Sequence, residues 1–195
     1  AAMSTPAALT FNGVSRCFDV DNKKITALED ISVAVKAGKI TGLIGPDAAG
    51  KTTLMRLATG LLLPDTGNIH VLGIDVVQSP IDTQSAVGYM PQRFGLYEDL
   101  SVQENLDLYA DLQGLPLDKR SSRYADLMHM TGLGPFGRRL AGRLSGGMKQ
   151  KLGLACTLVG TPRLLLLDEP TVGLHGVEVL RLAELLREMV RAGNA

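Results

Sequence analysis

Hydrophobic and polar positions change period twice along this chain. Residues 9–14 and 31–35 read as short strands, the second alternating as Ile31-Ser32-Val33-Ala34-Val35. A Lys36-Ala37-Gly38-Lys39 turn leads into the apolar run Ile40-Thr41-Gly42-Leu43-Ile44, which predicts a further strand, and Leu54, Leu57, Ala58 and Leu61 then follow at helical spacing. Pro64-Asp65-Thr66-Gly67 is a turn signal, and residues 68–72 and 87–90 read as more strands. From Ser101 to about residue 160 the period is helical. Ser101 and Glu104 have capping-box spacing, and Val102, Leu106, Tyr109 and Leu112 mark one apolar face. Gly132, Gly134, Pro135 and Gly137 interrupt that pattern. Residues 164–167 are four leucines, a buried strand, and residues 177–190 are amphipathic, with Val179, Leu182, Ala183, Leu186 and Val190 along one face. Gly193-Asn194 is a helix-ending signal.

These elements predict an α/β fold with a strand-rich first half and a mostly helical insertion between two sheet strands, after a flexible leader over 1–8. Composition adds limits. The 195 residues are 45% hydrophobic with a formal net charge of +0, an ordinary globular balance that gives no global attraction for nucleic acid. Cys17 and Cys156 lie far apart and form neither a disulfide framework nor a metal spacing. No apolar run approaches the ~20 residues of a bilayer span, and no signal peptide opens the chain, so a membrane role is expected through a partner. His70 and His129 have no ligand set around them.

Three segments carry chemistry. Gly45-Pro46-Asp47-Ala48-Ala49-Gly50-Lys51-Thr52-Thr53 fits G-x-x-x-x-G-K-[ST] and sits between a strand pattern and a helix pattern, as a phosphate loop must. Its backbone N–H groups would form a concave anion site, with Lys51 reaching the β- and γ-phosphates of ATP and the Thr52 hydroxyl on magnesium. Thr53 is assigned to the α-phosphate or to the support of that shell. A chance glycine-rich turn is the competing reading, and the flanks and two downstream partners weigh against it. Leu167-Asp168-Glu169-Pro170 ends a strand in two carboxylates: Asp168 suits magnesium and Glu169 suits polarising a water. Leu144-Ser145-Gly146-Gly147-Met148-Lys149-Gln150 offers an N-cap and two glycines at a helix start, where a phosphate could approach Ser145, Gly146 and Gly147.

With these three segments the chain resembles the nucleotide-binding domain of ATP-binding cassette (ABC) proteins over nearly its whole length. The resemblance implies an α/β fold with a phosphate-loop NTPase core of mixed, mostly parallel sheet with helices, an antiparallel β platform and an inserted helical subdomain. It implies a disordered leader over 1–8, an ATP-binding core over 9–91 and 158–195 that is incomplete at its C-terminal end, and a helical subdomain with the signature motif over 92–157. Within that family it is similar to the first cassette of two-cassette ATPase subunits of bacterial multidrug exporters, through 88–100 and 152–158. The resemblance implies that Gln92, in Tyr89-Met90-Pro91-Gln92, contacts magnesium and water. It implies that Phe18 stacks on adenine, where a core-packing phenylalanine is the competing reading. It also implies head-to-tail pairing with a second cassette, each signature closing over the other's ATP, and an integral membrane permease as partner. The expected location is the cytoplasmic, inner face of the plasma membrane, with no nucleic-acid partner.

Three departures stand against the family pattern. Ala48 replaces a glycine, at a cost of about 1–2 kcal/mol if the position needs positive φ, or roughly ten-fold in affinity if the strain arises on binding. His175 and Gly176 replace the usual Asp-Pro of the D-loop. The chain stops before the next strand and the switch histidine, as a C-terminally truncated cassette would. ATP binding is thus expected independently of turnover. The leading function is an ATP-hydrolysing exporter subunit. The alternatives are a degenerate cassette that binds ATP and regulates a catalytic partner, and a soluble cassette ATPase acting on nucleic acid or ribosomes.

Overall fold

The computed structural model describes residues 7–191. They divide into two compact units, one over residues 7–87 with 190–191 and the other over Gly88–Met189. The residues read as a leader lie in part outside this range; Ala7 and Ala8 lie within it, in the first strand, and Ala8 is buried. The Gly193-Asn194 signal also lies outside the described residues.

The first unit is built on a four-stranded antiparallel sheet. β1 (Ala7–Val20) and β2 (Lys23–Lys36) form a hairpin, and β3 (Thr66–Val71) and β4 (Ile74–Asp75) follow, in the order β2-β1-β3-β4. The hairpin turns on Asp21 and Asn22, both at positive φ (49° and 59°), the two-residue turn whose twist matches paired strands. Leu9, Phe11 and Val14 of β1 and Ile69 and Val71 of β3 bury one side of the sheet; β2, at the edge, buries only Leu28. Between Arg16↔Leu28 and Cys17↔Thr26 the register skips Ala27, a β-bulge in β2. Two helices complete the unit, α1 (Lys51–Ala58), which buries Leu57 and Ala58, and α2 (Pro80–Ala86).

The second unit joins a two-stranded sheet, β5 (Val87–Met90) and β6 (Leu164–Leu167), to α3 (Val102–Leu112), α4 (Leu117–Thr131), α5 (Gly146–Leu158) and α6 (Gly176–Arg191). Its core packs Val102 and Leu106 of α3, Leu127 of α4 and Leu152 and Cys156 of α5 against Met90. Cys156 is a buried hydrophobe there, and burial pushes its thiol pKa up. α3 starts as its sequence predicts. The Glu104 N–H donates to Ser101 Oγ at 3.2 Å, and the Ser101 N–H donates to Glu104 Oε2 at 2.7 Å. The segment before it hangs on Asn105. That buried amide donates to the Tyr97 and Ser101 carbonyls (3.0 and 2.9 Å) and accepts from the Tyr97 N–H at 3.0 Å. Glu98 in turn accepts from Lys149 Nζ at 2.5 Å and, at its carbonyl, from the Gly142 N–H at 2.9 Å. α6 buries none of its residues among those described.

Two expectations need correction. Residues 40–44 are not a strand: the segment is irregular, and Ile44 is 94% exposed. A strand lasts only where neighbours take its N–H and C=O groups, and no described strand pairs with this run, so apolar character alone does not make it one. For the same reason the mostly parallel core sheet is absent from the described residues, whose second sheet is β5 and β6 alone.

Candidate functional site

In the first unit the chain passes from residues 43–49, all exposed, into α1. Gly50 is the N-cap of α1 at φ 83°, and no side chain caps the helix, so its first N–H groups are left for a ligand. Glycine is required at this position on two counts. Its φ is left-handed, and a Cβ there would lie 2.5 Å from the Ala27 carbonyl oxygen and 2.8 Å from Leu28. The bulge in β2 thus turns a carbonyl against the end of the loop. The Lys51 ammonium folds back over the loop, donating to the Gly45 and Pro46 carbonyls at 2.8 and 2.7 Å, and the Ala49 N–H closes a turn onto Pro46 at 3.3 Å. Gly45, Pro46, Asp47, Ala48, Ala49, Gly50 and Lys51 therefore form one cradle. Thr52 and Thr53 occupy the first turn of α1, half-buried. Ala48 has φ 61°, the left-handed conformation that its departure from glycine raised as a question.

Phe18, half-buried near the end of β1, pairs with Ile25. The Arg16 guanidinium lies over its ring, 5.0 Å from the centroid. Arg16 Nη1 donates to Asp65 Oδ1 at 2.6 Å, and the Cys17 N–H donates to Asp65 Oδ2 at 2.7 Å. The Cys17 N–H first, then the Arg16 charge, hold the Asp65 carboxyl below the ordinary carboxylate range.

The second unit assembles the carboxylates. β6 delivers Asp168, 2% exposed, and the Asp168 N–H donates to the Met90 carbonyl at 2.9 Å, tying the ends of β5 and β6 together. Tyr89 Oη donates to Asp168 Oδ2 at 3.4 Å. Glu169 follows at φ 51°, a left-handed conformation that turns its side chain out of the strand line. The Gln92 amide Nε2 donates to Glu169 Oε2 at 2.7 Å across 77 positions of sequence. Gln92 and Glu169 are thus brought together. Lys51 and Thr52 belong to the other unit.

Ser145 caps α5 as expected, accepting from the Met148 N–H at 3.3 Å. Gly146 is exposed and Gly147 buried. A Cβ on Gly147 would lie 2.9 Å from a Glu178 carboxylate oxygen. Glu178 accepts from the His175 N–H at 3.3 Å and from Lys151 Nζ at 3.4 Å; these two, the His175 N–H first, lower its pKa. The D-loop and the signature turn therefore meet on one carboxylate. A cavity of about 260 Å³ opens beside this cluster, lined by Gln150, Lys151, Leu174 and Glu178 among others; neither Asp168 nor Glu169 lines it. Sequence reasoning missed Arg16, Asp65, Tyr89 and Glu178. Only Tyr89, within the quoted Tyr-Met-Pro-Gln, carried a local signal.

Within the second unit, the buried Asp168 carboxylate and the Gln92 amide offer hard oxygens of the kind that magnesium takes. No group of three or more His, Cys, Asp or Glu among the described residues could hold a metal by itself. No described helix is long and apolar enough to cross a membrane.

The family model described as ABC transporter matches residues 28–172. The chain is 50% identical over 187 residues to the probable multidrug ABC transporter ATP-binding protein YbhF of Escherichia coli (strain K12), covering 96% of this chain and 32% of that protein. It is 37% identical over 167 residues to the doxorubicin resistance ATP-binding protein DrrA of Mycobacterium tuberculosis (strain H37Rv), covering 86% of this chain and 50% of that one. The chain thus spans about a third to a half of these relatives. Among solved structures, the dimeric post-hydrolysis state of an ATP-binding cassette bound to ADP and Pi superposes with a TM-score of 0.86 at 22% identity, covering 95% of this chain and 84% of that one, a likeness of fold.

Proposed function

Since the chain belongs to the ABC transporter family and carries its ATP-binding cassette, we propose that it binds Mg-ATP and hydrolyses it to power a membrane exporter. The observation that carries the reading is the hydrogen bond from Gln92 to Glu169 beside the buried Asp168. It supplies a held general base next to a metal-suited carboxylate.

In this reading the loop from Gly45 to Gly50 receives the phosphates on backbone N–H groups. Lys51, whose ammonium lies over the loop, would donate to the β- and γ-phosphates as a charged partner. Thr52, Gln92 and Asp168 would hold magnesium, whose positive charge offsets charge on the phosphates. Tyr89 keeps Asp168 oriented through its hydroxyl. Glu169 takes a proton from the attacking water, and Gln92 fixes where that water sits. Phe18 stacks on the adenine. Thr53 supports the α-phosphate.

Ser145, Gly146 and Gly147 close over the ATP of a second cassette in a head-to-tail pair. The partners are that second cassette and an integral membrane permease, at the cytoplasmic face of the membrane. Multidrug export is supported by the names of YbhF and DrrA. The domain division proposed remains a core over 9–91 and 158–195 and a helical subdomain over 92–157.

A second reading, a degenerate cassette that binds ATP and regulates a catalytic partner, is favoured by Ala48 at φ 61° and by His175 in the D-loop. Calorimetric Mg-ATP binding and steady-state hydrolysis, with the chain alone and mixed with an intact cassette, separate the two. Binding with turnover that Glu169→Gln abolishes supports the exporter ATPase. Binding without turnover by the chain alone, with the intact cassette's turnover changed on mixing, favours the regulatory cassette, and loss of binding in Lys51→Ala supports the loop's place in either. No binding by the unaltered chain overturns both.

A further inference from the structure

We infer that Arg16 and Asp65 together position the Phe18 ring as the surface on which the base of the nucleotide stacks, a role that rests on the nucleotide reading above. One carboxylate grips both residues that precede the ring. Asp65 Oδ1 takes the Arg16 guanidinium at 2.6 Å, and Oδ2 takes the Cys17 N–H at 2.7 Å. The guanidinium so held lies 5.0 Å from the Phe18 centroid. Asp65 is itself anchored, its N–H donating to the Ser15 carbonyl at 2.9 Å. Among the described residues Arg16 Nε is buried with no hydrogen-bond partner. Leaving a buried donor unmade is costly, so the pose over the ring is kept at the expense of a hydrogen bond.

Placement supplies the second leg. Arg16 pairs with Leu28 and Phe18 with Ile25, on either side of the bulge whose Ala27 carbonyl abuts Gly50. The ring therefore stands at the end of the hairpin that touches the phosphate loop. A cation against one face of an aromatic ring fixes its plane, and a base can stack on the other. Arginine suits this better than lysine, because its flat fork can lie over the ring while still bonding the carboxylate. The Asp65 carboxyl, held below its ordinary range by the Cys17 N–H and Arg16, keeps the guanidinium paired at neutral pH.

Calorimetric titration of the full chain with ATP and, separately, with tripolyphosphate tests this, using Phe18→Ala, Arg16→Gln and Asp65→Asn. The unaltered chain should prefer ATP by about ten-fold or more, the worth of one stacked base, and Phe18→Ala should remove that preference. Arg16→Gln and Asp65→Asn should each cost about three- to ten-fold in ATP affinity with tripolyphosphate binding unchanged, which also shows the variants folded. If Phe18→Ala loses the preference and the other two keep it, the positioning role is wrong and the stacking role stands. If Arg16→Gln weakens both ligands equally, Arg16 serves phosphate or the fold, which likewise overturns the inference. If the unaltered chain binds tripolyphosphate as tightly as ATP, the stacking role falls and the inference with it.

Discussion

The phosphate loop and the carboxylate edge are built on opposite principles. The loop is backbone: residues 43–49 are exposed, its shape rests on Ala48 and Gly50 at positive φ, and the Lys51 ammonium is held on the loop's own carbonyls. The edge is side chains: Asp168 is buried, Tyr89 reaches its carboxylate, and Gln92 holds Glu169. A backbone site tolerates changes of side chain except where a Cβ or a conformation is at stake. A side-chain site fails atom by atom.

The largest expected effect falls on the edge. Glu169→Gln should lower turnover about 10²-fold or more while Mg-ATP affinity stays in place, read by steady-state hydrolysis beside calorimetry. Loss of binding and turnover together would mean that the edge shapes the nucleotide site instead of acting on water. Next comes the loop. Gly50→Ala places a Cβ 2.5 Å from the Ala27 carbonyl at φ 83°, and should cost at least about 1–2 kcal/mol of stability together with nucleotide affinity. Asp47→Ala, exposed, should shift stability by less than about 0.5 kcal/mol in the same denaturation series. Equal effects of the two would erase the contrast.

Ala48→Gly is a smaller test of the same idea. Relief of the left-handed strain at φ 61°, less the entropy that glycine gives the unfolded chain, should raise stability by up to about 1 kcal/mol, or about 2–4 °C in melting temperature. A rise in stability with ATP affinity unchanged would assign the strain to the fold, and a gain in affinity would assign it to binding. The smallest effect concerns the signature turn. The pKa of Glu178 is lowered from 4.5, so what it adds to folding is complete above that value and is lost as pH falls through its lower folded value. The melting-temperature gap between the unaltered chain and Glu178→Gln should close on that descent. A gap that persists in acid would assign the difference to packing.

What the sequence made legible was local. The Ser101 capping box, the Ser145 N-cap and the strand over 87–90 follow from neighbouring residues, and each is present. Positive φ at residue 48 was raised only as a condition, through the departure from the family's glycine, and it is present. Distant pairings were not legible. Asp65 meets Cys17 across 48 positions and Lys151 meets Glu178 across 27, and no periodicity encodes either. The reach of the hairpin from Ala7 to Lys36 was missed because Asp19, Asp21 and Asn22 look like loop, although two residues at positive φ are what such a turn takes. The run at 40–44 failed in the opposite direction, since a strand is a property of a pair.

The segment from Tyr97 to Ser101 has a mechanical meaning. Asn105 fastens it to α3, Lys149 and Gly142 fasten it to the start of α5, and an antiparallel bridge joins Ser101 to Leu140. Such a segment has no slack, so a load applied at the exposed Tyr97 is carried to both helices at once, as by a bracket bolted to two beams. The two ties differ in kind: α3 is held through the amide of one buried asparagine, and the approach to α5 through the Lys149–Glu98 pair and the Gly142 N–H.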